Sequence, residues 1–393
     1  MTQDFYRIRR LPPYVFAEVN AMKAAARARG EDVIDLGMGN PDGAPSPHVV
    51  AKLAEVAAKP GAHGYSASKG IAGLRRAQAA YYERRFDVNL DPDSQVVVTL
   101  GSKEGLANLA QAITAPGDVV LAPNPSYPIH TFGFIIAGAT IRSIPAAPGP
   151  DFFVRLENAM KYTVPRPSVL VMGYPSNPTA EVADLAFYEQ VVAFARAEGL
   201  WVISDLAYAE IYFGDAPTPS ILQVPGALEV AIEFTSMSKT YSMAGWRIGF
   251  AVGNETLIAA LTRVKSYLDY GAFTPVQAAA VAALNGPQDI IAANRALYKA
   301  RRDALVDSFG RAGWSIPVPQ ASMFAWVPIP EPLRHLGALE FSKRLLSEAK
   351  VAVAPGTGFG EEGEGYVRIA LVENEQRLRQ AARNVKAFLS ANA

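Results

Sequence analysis

Between residues 95 and 253 the chain repeats one pattern, a short apolar run closed by a small or polar residue. The runs are QVVVTLG (95–101), VVLAPN (119–124), SVLVMG (168–173), LWVISD (200–205), VAIEFTS (230–236) and GFAVG (249–253). Several lack the polar alternation of a strand with one wet face, as expected of strands covered on both sides. Intervening segments such as SKEGLANLAQAI carry helical spacing. Strands separated by helices predict an α/β fold whose sheet is mostly parallel.

After about residue 285 the texture changes. A charged helical pattern, ANRALYKARRDALVDSFGRAG, leads to MFAWVPI, then a second helix, VAVAPG, YVRIALV and a last helix. This predicts a smaller α+β unit. With 393 residues two domains are expected: a large one over 46–287, and a small one combining an N-terminal arm, 1–45, with 288–393. The 37 basic and 37 acidic residues balance, so no polyelectrolyte surface for nucleic acid or an anionic membrane is expected. Absence of cysteine excludes disulfides, thiolate metal sites and a cysteine nucleophile. The N-terminal MTQDFYRIRRLPPYVF has no apolar core of a signal peptide. No stretch approaches the roughly 18 uninterrupted apolar residues of a membrane span, and a cytoplasmic protein is expected.

In a parallel α/β sheet, ligands collect at the carboxyl ends of the strands. Five of these ends carry unusual residues. QVVVTL runs into Gly101, Ser102 and Lys103 at a helix start. The loop after VVLAPN holds Tyr127, and SVLVMG leads to YPSNPTA with Asn177. LWVIS ends in Asp205 with Tyr208 close behind, and VAIEFT ends in Ser236, Ser238 and Lys239. Each has a plainer explanation. Ser102 could simply cap its helix, Asn177 before proline is a common turn, and lone tyrosines usually pack. Asp205 resists this, since a carboxylate ending a Trp-Val-Ile run needs a partner where it becomes buried. Lys239 could be an exposed lysine, yet its neighbours Ser236, Ser238, Thr240, Tyr241 and Ser242 suit an anion better than a solvated face. A desolvated amine near a cation such as Arg247 has a lowered pKa and becomes a nucleophile toward aldehydes.

These parts fit one small molecule, pyridoxal phosphate. It needs a lysine for a Schiff base and an acid against the pyridine nitrogen, here Asp205. Its phosphate needs a helix start, hydroxyls and an arginine fork. Asn177 and Tyr208 could serve the 3-hydroxyl, and Tyr127 could stack on the ring.

The motifs DLGMGNPDG (35–43), GYSASKGIAGLRRA, GSKEGL, NPSYPIH, YPSNPTA, SDLAYAEIY, SMSKTYSMAGWRIGF and YVRIALVEN (366–374) occur in this order. Together they resemble the class I/II aminotransferases of pyridoxal-phosphate fold type I over nearly the whole chain. The nearest group is the bacterial glutamate–pyruvate (alanine) aminotransferases, with LL-diaminopimelate and methionine-type enzymes close by. The resemblance implies a large domain with a mostly parallel seven-stranded sheet between helices. It implies a Schiff-base and proton-shuttle role for Lys239, and a phosphate cradle of Ser102, Lys103, Ser236, Ser238 and Arg247. Arg368, in YVRIAL, resembles the fork for the substrate α-carboxylate, and Gly39 a backbone contact to the same group. Tyr65 resembles a tyrosine that reaches the neighbouring subunit's phosphate, which implies a homodimer with shared active sites. Tyr14 resembles a contact on the substrate side. Two features depart from the aspartate-specific branch, where a tryptophan stands in place of Tyr127 and the partner subunit supplies a second arginine. No such arginine occurs in SYLDYGAFTPVQ (266–277), which favours a smaller or neutral substrate, while Lys103 could meet a distal carboxylate.

The expected reaction is a ping-pong transfer of an amino group, preferably between alanine or glutamate and pyruvate or 2-oxoglutarate. The alternatives are an LL-diaminopimelate or methionine-type aminotransferase, or a C–S β-lyase on the same fold. A cofactor-binding module of a transcription regulator would need a winged helix-turn-helix, for which the few dozen residues before GMGNPD leave no room. None of the four histidines, His48, His63, His130 and His335, falls at a catalytic position, so no histidine base is expected.

Overall fold

A computed structural model describes residues 5–13 and 15–392. Strand β1 (Ile34–Asp35) belongs to a small sheet considered below. The next seven strands form one sheet: β2 (Val96–Thr99), β3 (Val119–Asn124), β4 (Thr140–Pro145), β5 (Val169–Met172), β6 (Trp201–Asp205), β7 (Ala231–Ser236) and β8 (Gly249–Gly253). Their order is β2-β8-β7-β6-β5-β3-β4. Strand β8 runs antiparallel to both neighbours, and every other pairing is parallel. The expected α/β architecture with a mostly parallel seven-stranded sheet is what the chain forms.

The apolar runs behave as their composition requires. Val96 and Val98 pack into one buried cluster and Val97 into another; Leu170 and Met172 likewise part from Val169 and Val171. Alternate side chains of one strand thus enter cores on opposite faces of the sheet. Strand β4 is the one that the runs do not announce. It lies at the sheet edge, with Arg142 and Ser143 exposed, so its sequence TIRSIP carries no continuous apolar signal. The direction of β8 was equally hidden, because the short 237–248 connection turns the chain back beside β7.

The remaining strands are β9 (Phe324–Pro328), β10 (Val351–Ala352), β11 (Ala354–Pro355) and β12 (Tyr366–Ala370). Strands β11, β12 and β9 make an antiparallel sheet, while β1 pairs with β10 in parallel, Ile34 opposite Val351. A separate core lies here, where Leu305, Phe309, Phe341, Leu345, Leu378 and Val385 cover Val327 and Ile369. Among the described residues, no helix is long and apolar enough to cross a membrane.

Candidate active site

The carboxyl ends of β2, β3, β5, β6 and β7 point to one edge of the large sheet, since these five strands run in the same direction. A cleft of about 550 Å³ opens there. Its walls include Gly39, Ser102, Lys103, Tyr127, Asn177, Asp205, Tyr208, Ser236, Ser238, Lys239, Arg247 and Arg368. The structure therefore gathers twelve of the fourteen residues singled out in the sequence. Tyr65 lies elsewhere and is 88% exposed, its ring 4.6 Å from that of Tyr270. Tyr14 lies outside the described residues. A larger groove, of about 1210 Å³ between the 181–190, 212–219 and 318–320 segments, contains none of the fourteen.

Lys239 sits on a single helical turn, Met237–Thr240, that begins where β7 stops. Ser236 starts the turn by accepting the Ser238 N–H at 3.1 Å through its hydroxyl. The Lys239 amine donates to the carbonyl of Gly39 at 2.9 Å. Burial, with Arg368 and Arg247 nearby, lowers its pKa from 10.5 to about 8. The amine is thus mostly neutral above pH 8 instead of above 10.5, and only the neutral amine attacks a carbonyl. Capture of pyridoxal phosphate by the apoprotein, followed by absorbance, should accelerate with rising pH around a midpoint near 8; a midpoint above 10 would contradict this environment.

Asp205 ends β6 and is 8% exposed. His130 Nε2 lies 2.8 Å from its Oδ2. An imidazole N–H at Nε2 can donate to this carboxylate oxygen. Room for this pair comes from Gly173, where a Cβ would lie 3.0 Å from His130 Cε1 and 3.2 Å from Asp205 Cβ. His130 is not among the expected site residues. A signal existed, because His130 follows Tyr127 by three residues at the start of the Pro128–Ala137 helix, and its ring meets that of Tyr127 edge-on at 5.8 Å. Replacing His130 by alanine should cost the apoprotein about 1–3 kcal/mol by leaving a buried acceptor unpaired. Unchanged urea unfolding would remove that role.

Arg368, on β12, is 7% exposed and sandwiched between two rings, with its guanidinium carbon 4.1 Å from the centre of Phe324 and 4.6 Å from that of Phe359. It donates to Asn177 Oδ1 at 2.7 Å and to the Gly37 carbonyl at 2.9 Å. Arg368 thus joins the small sheet to the loop after β5. Gly39 touches the same aromatic wall, since a Cβ there would lie 2.5 Å from the Phe324 ring. The 37–42 strip is tied down further along, where Asp42 receives both Nη groups of Arg301 at 2.8 and 2.7 Å. That guanidinium lowers the Asp42 pKa. Tyr208 packs on Phe324 at 5.7 Å, and burial, then Tyr127, raises its phenol pKa. Phe16, Phe324 and Phe359 line the cleft without having been expected there. Their apolar patterns do not distinguish a cleft wall from a core.

At the other end of the cleft, Gly101 adopts φ +86° before the Ser102–Ile113 helix. A Cβ at Gly101 would lie 2.1 Å from Arg247 Nη2, so only glycine lets the guanidinium lie against the helix start. Arg247 itself has φ +56° and donates to the carbonyls of Ala244 and Leu100 at 2.8 and 3.2 Å. Ser102 Oγ donates to the Thr235 carbonyl at 3.0 Å, which leaves the backbone N–H groups of the helix start to meet an anion. These features fit pyridoxal phosphate: a cation and helix N-terminus for its phosphate, a neutralisable amine for its aldehyde, and a paired carboxylate for its ring nitrogen.

Comparison with known proteins agrees with this chemistry. Residues 31–385 match the family Aminotransferase class I and II. AatC of Rhizobium meliloti (strain 1021), an aminotransferase by name, is 66% identical over 390 residues, covering 99% of this chain and 96% of the relative. The glutamate-pyruvate aminotransferase AlaC of Escherichia coli (strain K12) is 55% identical over 388 residues, or 99% and 94% of the two chains. Among solved structures, substrate-bound BacF from Bacillus subtilis superposes with a TM-score of 0.91 at 33% identity, covering 99% of this chain and 98% of that one.

Proposed function

The chain belongs to the class I and II aminotransferases, and from that premise we propose that it moves the amino group between alanine and 2-oxoglutarate, giving pyruvate and glutamate. The observation that carries the chemistry is the Lys239 amine, its pKa drawn down to about 8 in a cleft that also holds the Asp205–His130 pair and Arg368. Pyridoxal phosphate, on which this family depends, supplies when bound an aldehyde for the amine and a ring that accepts the electron pair left at the substrate Cα.

The chain's own residues do the rest. Arg368 holds the α-carboxylate of either substrate as a planar fork. Lys239 leaves the Gly39 carbonyl, takes the proton from Cα and holds it for return. Asp205, oriented by His130, keeps a proton on the pyridine nitrogen, with Asn177 and Tyr208 serving the 3-hydroxyl and Tyr127 the ring face. Arg247, Ser236, Ser238 and the Ser102 helix start bind the phosphate. Gly39 and Tyr14 are assigned to the substrate side. What favours glutamate as one partner is Lys103, an exposed cation on the cleft wall that can meet a second carboxylate. The name of the Escherichia coli relative points the same way.

Purified enzyme with L-alanine and 2-oxoglutarate should yield glutamate and pyruvate. Faster turnover with LL-diaminopimelate or methionine as donor would replace the substrate assignment. Ammonia and pyruvate from cystathionine, without glutamate from alanine, would shift the reading to a C–S β-lyase.

The same reading makes the enzyme a homodimer with shared sites, in which Tyr65 serves the partner's phosphate. Its support is a set of exposed aromatic and apolar side chains close in sequence and contact: Tyr65 at 88%, Tyr267 at 79%, Tyr270 at 63%, Leu268 at 58% and Phe273 at 47%. We divide the chain into a large domain, 46–287, and a small one from 1–45 and 288–393. The separate core around Phe309, Phe341 and Ile369 supports this division.

A further inference from the structure

Lys265 has a fully buried side chain, 0% exposed, and the chemistry above does not use it. It lies near the end of the Glu255–Leu268 helix, and its amine donates to Glu104 Oε1 at 3.1 Å and Asp269 Oδ2 at 2.9 Å. An ammonium is kept out of water only where oxygens replace its hydration. Here those oxygens belong to two different parts of the molecule.

Glu104 belongs to the phosphate end of the cleft. It stands in the first turn of the Ser102–Ile113 helix, one residue after Lys103. Its Oε2 accepts the Leu100 N–H at 2.8 Å, just before Gly101. A carboxylate here opposes an incoming phosphate, and the Lys265 charge offsets it.

Asp269, its side chain 15% exposed, belongs to the segment that follows the helix. Its Oδ1 accepts the Gly271 N–H at 2.6 Å, and its carbonyl accepts the Ser68 hydroxyl. Gly271, at φ +77°, presses so closely on the 65–71 strip that a Cβ would lie 2.2 Å from the Ala67 carbonyl. Gln277, 0% exposed, closes the two strips by donating to Ser66 Oγ at 2.8 Å and accepting the Ile71 N–H at 2.8 Å. These two strips carry Tyr65 and Tyr270, which meet at 4.6 Å on the exposed face.

We propose that Lys265, held by Glu104 and Asp269, is a positioning residue that couples phosphate binding in the cleft to subunit pairing through the Tyr65–Tyr270 face. This rests on the homodimer reading. A bound phosphate favours one setting of the helix start, Glu104 transmits it to Lys265, and Asp269 holds the outer strips in the matching position. Linkage then requires cofactor and partner subunit to strengthen each other by one common factor.

The test measures the dimer dissociation constant by sedimentation, with and without pyridoxal phosphate, for wild type, Lys265→Met and Asp269→Asn. Cofactor affinity of each apoprotein is followed by fluorescence. In wild type the cofactor should tighten the dimer by about 5- to 150-fold, the usual span of such couplings. In both variants that ratio should fall severalfold, to what the direct Tyr65 contact with the partner's phosphate alone sustains, with weaker cofactor binding. Should Lys265→Met fail to fold, Asp269→Asn decides, since its oxygen can still accept the Gly271 N–H while its amide nitrogen cannot accept from Lys265. A coupling ratio unchanged in Asp269→Asn, or no coupling in wild type, overturns the proposal and leaves the dimer intact. A wild-type protein that is monomeric with and without cofactor overturns the homodimer reading itself.

Discussion

Replacing Lys239 by alanine should abolish the visible absorbance of bound cofactor and reduce turnover by about 10⁴-fold or more, the upper end of what a positioned acid–base group contributes. Two roles end in one substitution. The amine that holds the aldehyde disappears, and so does the group that moves the Cα proton. Its position on the Met237–Thr240 turn leaves no second amine within the described cleft apart from Lys103, which is exposed at the start of another helix. Lys239→Arg should fare no better, because a guanidinium stays protonated and cannot act as a base. Turnover within tenfold of wild type in either variant would refute the assignment.

Replacing Arg368 by methionine should raise KM for both amino acid and 2-oxo acid, and lower kcat/KM by about 30- to 5,000-fold. That range corresponds to about 2–5 kcal/mol for truncating one partner of a buried, hydrogen-bonded charge pair. Methionine keeps much of the volume between Phe324 and Phe359 but removes the donors to Asn177 and Gly37. Lysine at this position offers a point charge in place of a flat fork and should rescue only part of the loss. There is also a pH consequence. Arg368 is the larger of the two cationic contributions that depress Lys239, after burial. Without it the Lys239 pKa should rise, and the pH midpoint for cofactor capture should move upward from about 8. An unchanged KM with an unchanged midpoint would place Arg368 outside the site.

Much of the architecture could be read along the chain because burial writes itself into composition. Strands enclosed on both faces must be apolar throughout, and six of the seven large-sheet strands were recognisable on that ground. The seventh, β4, sits at the edge and lacks that constraint. Site residues were legible for the opposite reason. Asp205, Asn177 and Lys239 interrupt or end apolar segments where a polar group is costly without a partner. His130 was not, since its partner Asp205 lies 75 residues away, and only the pairing of β3 with β5 and of β5 with β6 makes them neighbours.

Sequence alone determined that an α/β sheet would form, which strand ends would carry polar groups, and that an amine, an acid and a cation would be among them. Those are consequences of local pattern and side-chain chemistry. Tertiary structure alone decided that Arg368, from the small sheet, reaches Asn177 in the loop after β5, and that Gly39 lends its carbonyl to Lys239 across 200 positions. It also decided that Lys265 would bridge Glu104 and Asp269 out of contact with water. Such contacts have no period and no spacing to betray them. They follow from which surfaces the sheet order brings together, and a buried charge reveals its partner only once that packing is complete.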